Sequence, residues 1–216
     1  MVQLLSTEQM AEFANSGCLF FDGLIDNETN KEFLNDIGHT DIENVDNMQK
    51  YFQNIKASSS IPRIPAGTSL KNAYPHKSPL QKIFKNEVVA GAINSLVGSE
   101  AVVDHQFLHL TFPTKYFKKT NQRQMSQVNH QDSTIDPRVT FDIQLFYFPT
   151  DVTKEMGGTR YHPGTHLRIV NEMGIAKYQN IRGQKNIVCK AGTIGIFHNG
   201  LWHGAGVNSV SYTHLT

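Results

Sequence analysis

Apolar positions recur at helical spacing through the first hundred residues and at strand spacing after them. Ser6, followed three residues on by Gln9, spells a capping box. Met10, Phe13 and Ala14 then share one helical face, and Gly17 ends the run. "CLFF" (18–21) is short, apolar and flanked by glycine and aspartate, which predicts a buried strand. Asp26 caps a second helix carrying Phe33, Leu34 and Ile37 and stopping at Gly38.

From 41 to 77 the period is lost in a stretch rich in Ser, Pro, Gly and Asn, which predicts a structureless functional lid. Ser78-Pro79 restarts a helix, a cap followed by proline at the first helical position, and it runs to Gly98 with a break at Asn86. Beyond Gly98, "AVVDHQFLHLTF", "VTFDIQLFYF", "NIVCK" and "TIGIF" are β-branched and aromatic and are separated by turn residues. The expected organisation is one domain over 1–216, with a helical part at 1–98 and a β core at 99–208.

Composition narrows this picture. The chain has 216 residues, 39% hydrophobic, with 16 glycines, which suits a loop-rich β protein of one core. A formal net charge of +1 gives no electrostatic case for nucleic acid or an anionic membrane. Cys18 and Cys189 are the two cysteines and imply no disulfide framework. The first residues lack a basic region followed by an apolar run, so the expectation is a soluble cytoplasmic protein.

Candidate chemistry centres on histidine. His130-Gln131-Asp132 lies in an extended stretch, where residues two apart face the same side. A divalent cation would resolve the cost of burying that carboxylate, against the alternative of a solvated polar turn. His39-Thr40-Asp41 has the same spacing, but it follows a helix-ending glycine and reads as a helix terminus. A third ligand must come from another strand. In "TIGIFHNGLWHGAGVN", Asn199-Gly200 predicts a two-residue hairpin. That hairpin sets Ile196 opposite His203, with Ile194, Ile196, Leu201, His203 and Ala205 facing inward and Phe197 and Trp202 outward. Two histidines and one carboxylate form the non-haem Fe(II) arrangement, and His198 is the rival for the third place. His162 and His166 flank a Pro-Gly turn and read as structural. The run Lys115, Lys118, Lys119 and Arg123 reads as a solvated hairpin, or as a contact for an anionic substrate.

Several blocks, in order, resemble the phytanoyl-CoA dioxygenase family. These are "LLSTEQMAEFANSGCLFFDGLIDNETNKEFLNDI", "HQD", "FYFPTDVTKEMGGTRYHPGTH" and "GTIGIFHNGLWHGAGVN", together spanning 4–208. The resemblance implies a mainly β fold with flanking helices, a double-stranded β-helix (a jelly-roll, cupin-like barrel). It implies Fe(II) bound by His130, Asp132 and His203, with 2-oxoglutarate as cosubstrate and O2 as oxidant. It also implies hydroxylation of a small-molecule or acyl substrate with release of succinate and CO2, since halogenating relatives carry a small residue in place of Asp132. Gln144 is the candidate cosubstrate contact and Gln131 the candidate substrate contact.

The chain departs from the family pattern at three places. Phe146 stands where tryptophan is common, and Met156-Gly157 where Asn-Gly is usual. The arginine expected to hold the far carboxylate of 2-oxoglutarate is replaced by His214, and no arginine follows Arg182. Beyond Asn208 "SVSYTHLT" has no family counterpart, which implies that 209–216 is a non-native tail and that the last barrel strand is missing. Two other readings stand beside the oxygenase: a cupin-like metalloenzyme that does not use 2-oxoglutarate, and a non-catalytic β-barrel module.

Overall fold

The computed structural model describes residues 2–39, 53, 55, 57–132, 141–168, 170–178, 181–210 and 214–215. Two three-stranded antiparallel sheets form its β part. The first has the order β1 (Cys18–Phe21), β8 (Thr193–His198), β5 (Ile143–Phe148). The second has the order β7 (Lys185–Asn186), β6 (Thr159–Tyr161), β9 (His203–Ala205). Short ladders join β2 (Thr68–Ser69) to β3 (Val102–Val103), and β4 (Leu110–Thr111) to β10 (His214–Leu215).

Local chemistry sets the helix boundaries. In α1 (Thr7–Ser16) the Ser6 hydroxyl accepts from Gln9 N, and Gln9 Oε1 accepts from Ser6 N, so the capping box is closed. Asp26 accepts from Thr29 N to start α2 (Asn27–Asp36). Asn86 ends α3 (Pro79–Lys85) and caps α4 (Glu87–Leu96) by accepting from Val88 N and Val89 N. On α1 only Phe13 is buried, and Met10 and Ala14 are exposed, so the apolar face is narrower than its spacing suggests.

The first sheet is buried on both faces. Leu19, Ile194 and Ile196 pack outward against Phe13, Phe33 and Ile83 of the helices. Cys18, Phe148 and Phe197 pack inward against Tyr161 of the second sheet. The two sheets thus face each other across an apolar layer, with helices covering one of them, although among the described residues they do not close into a barrel.

Three expectations are corrected here. Asn199-Gly200 does turn the chain, but β8 and β9 do not pair, because the chain crosses there from one sheet to the other. Ile196 therefore lies opposite Leu145 and Leu19, and His203 opposite Tyr161. Phe197 faces inward and Ile194 and Ile196 face the helices, the reverse of the expected assignment. Among the described residues, the stretch 101–112 contributes only β3 and β4, since 104–109 finds no ladder partner there. Of the expected lid, 41–52, 54 and 56 lie outside the described residues, and 57–77 is not structureless. It holds β2 and the one-turn helix Leu70–Ala73.

Candidate metal centre

His130 and His203 meet across strands. His130 N donates to His203 O at 2.9 Å and His203 N donates to His130 O at 3.0 Å, a hydrogen-bonded antiparallel pair whose side chains project to the same side. Two residues on, Asp132 N donates to Asn199 O at 3.0 Å, which brings the carboxylate to the same place. His130 Nε2 lies 3.4 Å from Asp132 Oδ1, and His203 Nε2 lies 3.2 Å from Asp132 Oδ2. One donor atom from each residue falls within 4.8 Å of the others. His198, the rival, lies elsewhere: its ring packs on Phe141 and His166, and its Nδ1 accepts from Gly200 N.

The imidazole orientations follow from the backbone. His130 Nδ1 is 3.0 Å from Val128 O, and His203 Nδ1 is 2.9 Å from Leu201 O. A carbonyl oxygen only accepts, so each Nδ1 carries a proton, and each Nε2 is turned toward Asp132. Two imidazole nitrogens and a carboxylate thus converge on one point, a donor set of the kind that holds a divalent cation. Burial pushes the Asp132 carboxyl up, but the adjacent imidazoles outweigh it and hold the group well below the ordinary carboxylate range. The edges of Phe146 and Phe197 lie near the His203 ring, with centroids 6.4 and 6.3 Å away, and give the site a dry wall.

Neighbouring groups hold this strand in place. The Gln131 amide donates to Arg168 O at 3.0 Å and Gly200 O at 2.8 Å, so it faces away from the triad and braces it. Asn129, fully buried, donates to Tyr178 O. Arg160, opposite Gly204 in the β6–β9 ladder, donates from Nη2 to Gln127 O, and burial lowers its pKa. A Cβ on Gly204 would stand 2.7 Å from Val128 O and 3.0 Å from Gln127 O. Only glycine lets β9 lie this close to the His130 strand. The sequence reading missed Asn129 and Gly204, although both sit directly beside a ligand.

Gln144 projects from the inner face of β5 and donates from Nε2 to Asp132 Oδ2, while its Oε1 is buried without a partner. A cavity of about 290 Å³ adjoins it. The sequence reading missed His109 as one of its lining residues, although "HQFLHL" spaces His105, Phe107 and His109 two apart. His162 and His166 are buried, and His166 Nε2 is 3.1 Å from Ala14 O. None of Lys115, Lys118, Lys119 and Arg123 lines the cavity. Position 214 pairs its backbone with Thr111. Asp41, of the other His-x-Asp match, lies outside the described residues.

A family model described as phytanoyl-CoA dioxygenase (PhyH) matches residues 13–211. The chain belongs to the phytanoyl-CoA dioxygenase family. Its members are non-haem oxygenases that use Fe(II), 2-oxoglutarate and O2. Solved structures show the same jelly-roll fold at low identity. HygX from Streptomyces hygroscopicus, with nickel and 2-oxoglutarate bound, is 12% identical over 99% of this chain and 85% of its own, with a TM-score of 0.61. AviO1 from Streptomyces viridochromogenes is 15% identical over 100% and 93%, at 0.63. SnoK, a non-haem α-ketoglutarate-dependent carbocyclase from nogalamycin biosynthesis, is 14% identical over 98% and 81%, at 0.57. A search of curated proteins finds no significant match.

The donor set fits iron: two imidazoles and a carboxylate, with coordination positions left over. For 2-oxoglutarate the fit is partial. Gln144 stands at the metal end, but among the described residues no lysine or arginine lines the adjoining cavity to meet a far carboxylate.

Proposed function

We propose that this chain hydroxylates a C–H bond of a small molecule, with His130, Asp132 and His203 holding Fe(II). The observation that carries the proposal is the pair of Nδ1–H groups committed to Val128 O and Leu201 O, which aims both Nε2 atoms at one carboxylate. The presence of nickel and 2-oxoglutarate in HygX supports the same assignment.

When bound, iron with 2-oxoglutarate supplies the oxidising chemistry, in which substrate C–H, O2 and 2-oxoglutarate become alcohol, succinate and CO2. The chain's own residues perform the rest. Val128 O and Leu201 O hold the two imidazoles in orientation, and Asp132 would offset the metal's charge. Gln144 fixes the Asp132 carboxylate and offers its free Oε1 to a donor. Phe146 and Phe197 keep water off one side. Residues 1–216 are read as one cytoplasmic oxygenase domain, and the described stretch 57–77 of the expected lid as a cover, since Ile61, Leu70 and Tyr74 line the cavity. Among the described residues no helix is long and apolar enough to cross a membrane.

Anaerobic addition of Fe(II) and then 2-oxoglutarate tests this reading. A visible charge-transfer band and succinate formation with a substrate support it, and metal binding without the band opposes it. The latter result selects a second reading, a metalloenzyme of the same fold that works without 2-oxoglutarate. The lack of a cation among the described cavity residues favours that alternative.

A further inference from the structure

The cavity of about 290 Å³ adjoins the metal centre, since Gln144 and Phe146 line it and Gln144 donates to Asp132. Leu70, Leu80, Ile83 and Ile93 make part of its wall apolar. Its size is at the small end of the range for small-molecule sites. 2-Oxoglutarate carries a carboxylate at each end, so with one end at the metal the other lies in the space beside it. A carboxylate taken out of bulk water there needs a hydrogen-bond donor, because leaving it unpaired is costly.

Most donors that line the cavity are committed elsewhere. Gln144 Nε2 donates to Asp132, Gln106 Nε2 to Ser60 O at 3.0 Å, and the Tyr147 hydroxyl to Asn30 Oδ1 at 2.6 Å. His105 Nδ1 lies 2.6 Å from the Asp104 carboxylate. His109 differs. It lines the cavity, and among the described residues neither of its ring nitrogens has a hydrogen-bond partner. Burial lowers its pKa, Asp132 acts against that, and His203 and His130 add to it, so the ring stands within electrostatic reach of all three candidate ligands. The residue directly precedes β4, whose ladder with β10 fixes that end of the stretch. An imidazole donates from at least one nitrogen in either protonation state, so it can meet an anion without carrying a charge.

We propose that His109 is a cosubstrate-binding residue, donating from a ring nitrogen to the carboxylate of 2-oxoglutarate that is not at the metal. The assignment rests on the oxygenase reading above and adds to it a residue on a different strand from the metal ligands.

The test is anaerobic calorimetry on the full chain loaded with Fe(II). It is titrated with 2-oxoglutarate and with 2-oxopentanoate, the 2-oxoacid of equal length that lacks the second carboxylate. The wild type should bind 2-oxoglutarate about tenfold or more tightly than 2-oxopentanoate. His109→Leu, or His109→Phe if the first does not fold, should lose most of that preference by weakening 2-oxoglutarate alone. His109→Gln, which keeps a donor, should retain part of it, and Fe(II) affinity should match the wild type throughout. The proposal is overturned if the wild type binds the two acids equally, or if the apolar variants keep the preference. It is also overturned if they weaken both acids, or the metal, alike, which would make the residue structural. A wild type that binds Fe(II) but neither acid rejects the oxygenase reading and this assignment together. A wild type with the preference, and an apolar variant that shares it, rejects the assignment alone.

Discussion

His130 and His203 exchange both backbone hydrogen bonds across neighbouring strands, although seventy-three positions separate them in the chain. Their ring centroids lie 4.4 Å apart as a result. The ladder therefore fixes the spacing of the two candidate ligands, and contacts that hold the ladder should control metal affinity.

Gln131 is the clearest case. Its amide ties the His130–Asp132 segment to Arg168 O and Gly200 O without facing the triad. Gln131→Leu should weaken Fe(II) or Co(II) affinity roughly ten- to a hundredfold, the usual effect of removing a ligand's support. Equilibrium dialysis against metal measures this, and the far-UV circular dichroism should stay unchanged.

Gly204→Ala probes the same spacing from the other strand. The added methyl meets Val128 O and Gln127 O, and the Gln127 carbonyl is the acceptor for Arg160. Overpacking should cost about 1–3 kcal/mol of stability, read by chemical denaturation. It should also reduce metal affinity, by displacing His203 from His130.

Acid should destabilise the protein through His198. Burial, with His166 beside it, lowers the His198 pKa to about 4, from the ordinary 6.5. The unfolded chain thus binds more protons between those values, so stability is fully present above pH 6.5 and is lost as pH falls toward 4. His198→Asn retains an acceptor for Gly200 N but cannot titrate. Its melting temperature should fall less over that interval than the wild type's.

Asp36 anchors the described part of the expected lid. It accepts from the Ser58 and Ser59 hydroxyls and from Ser60 N. Burial pushes its carboxyl up, but these donors prevail and hold it below its ordinary value. Asp36→Ala should expose the chain near Ser58 to limited proteolysis and leave cleavage elsewhere unchanged.

The sequence announces helix ends because caps are local. Ser6, Asp26 and Asn86 each act within three residues of themselves. His130 and Asp132 were legible through strand alternation, and the same rule turns Gln131 to the opposite side. The hairpin was not legible, because Asn199-Gly200 specifies a turn without specifying whether its two arms share a sheet. The facing of Phe197 was hidden for another reason. With helices on one face and the second sheet on the other, β8 is buried throughout and shows no apolar–polar alternation to read.

Anaerobic titration of the purified chain with Fe(II), followed by calorimetry, tests the metal centre most directly. The wild type should bind one ion per chain, and Asp132→Ala and His203→Ala should each abolish that binding while remaining folded. A wild type that takes up no ion, or folded variants that bind as tightly as it does, would contradict the assignment.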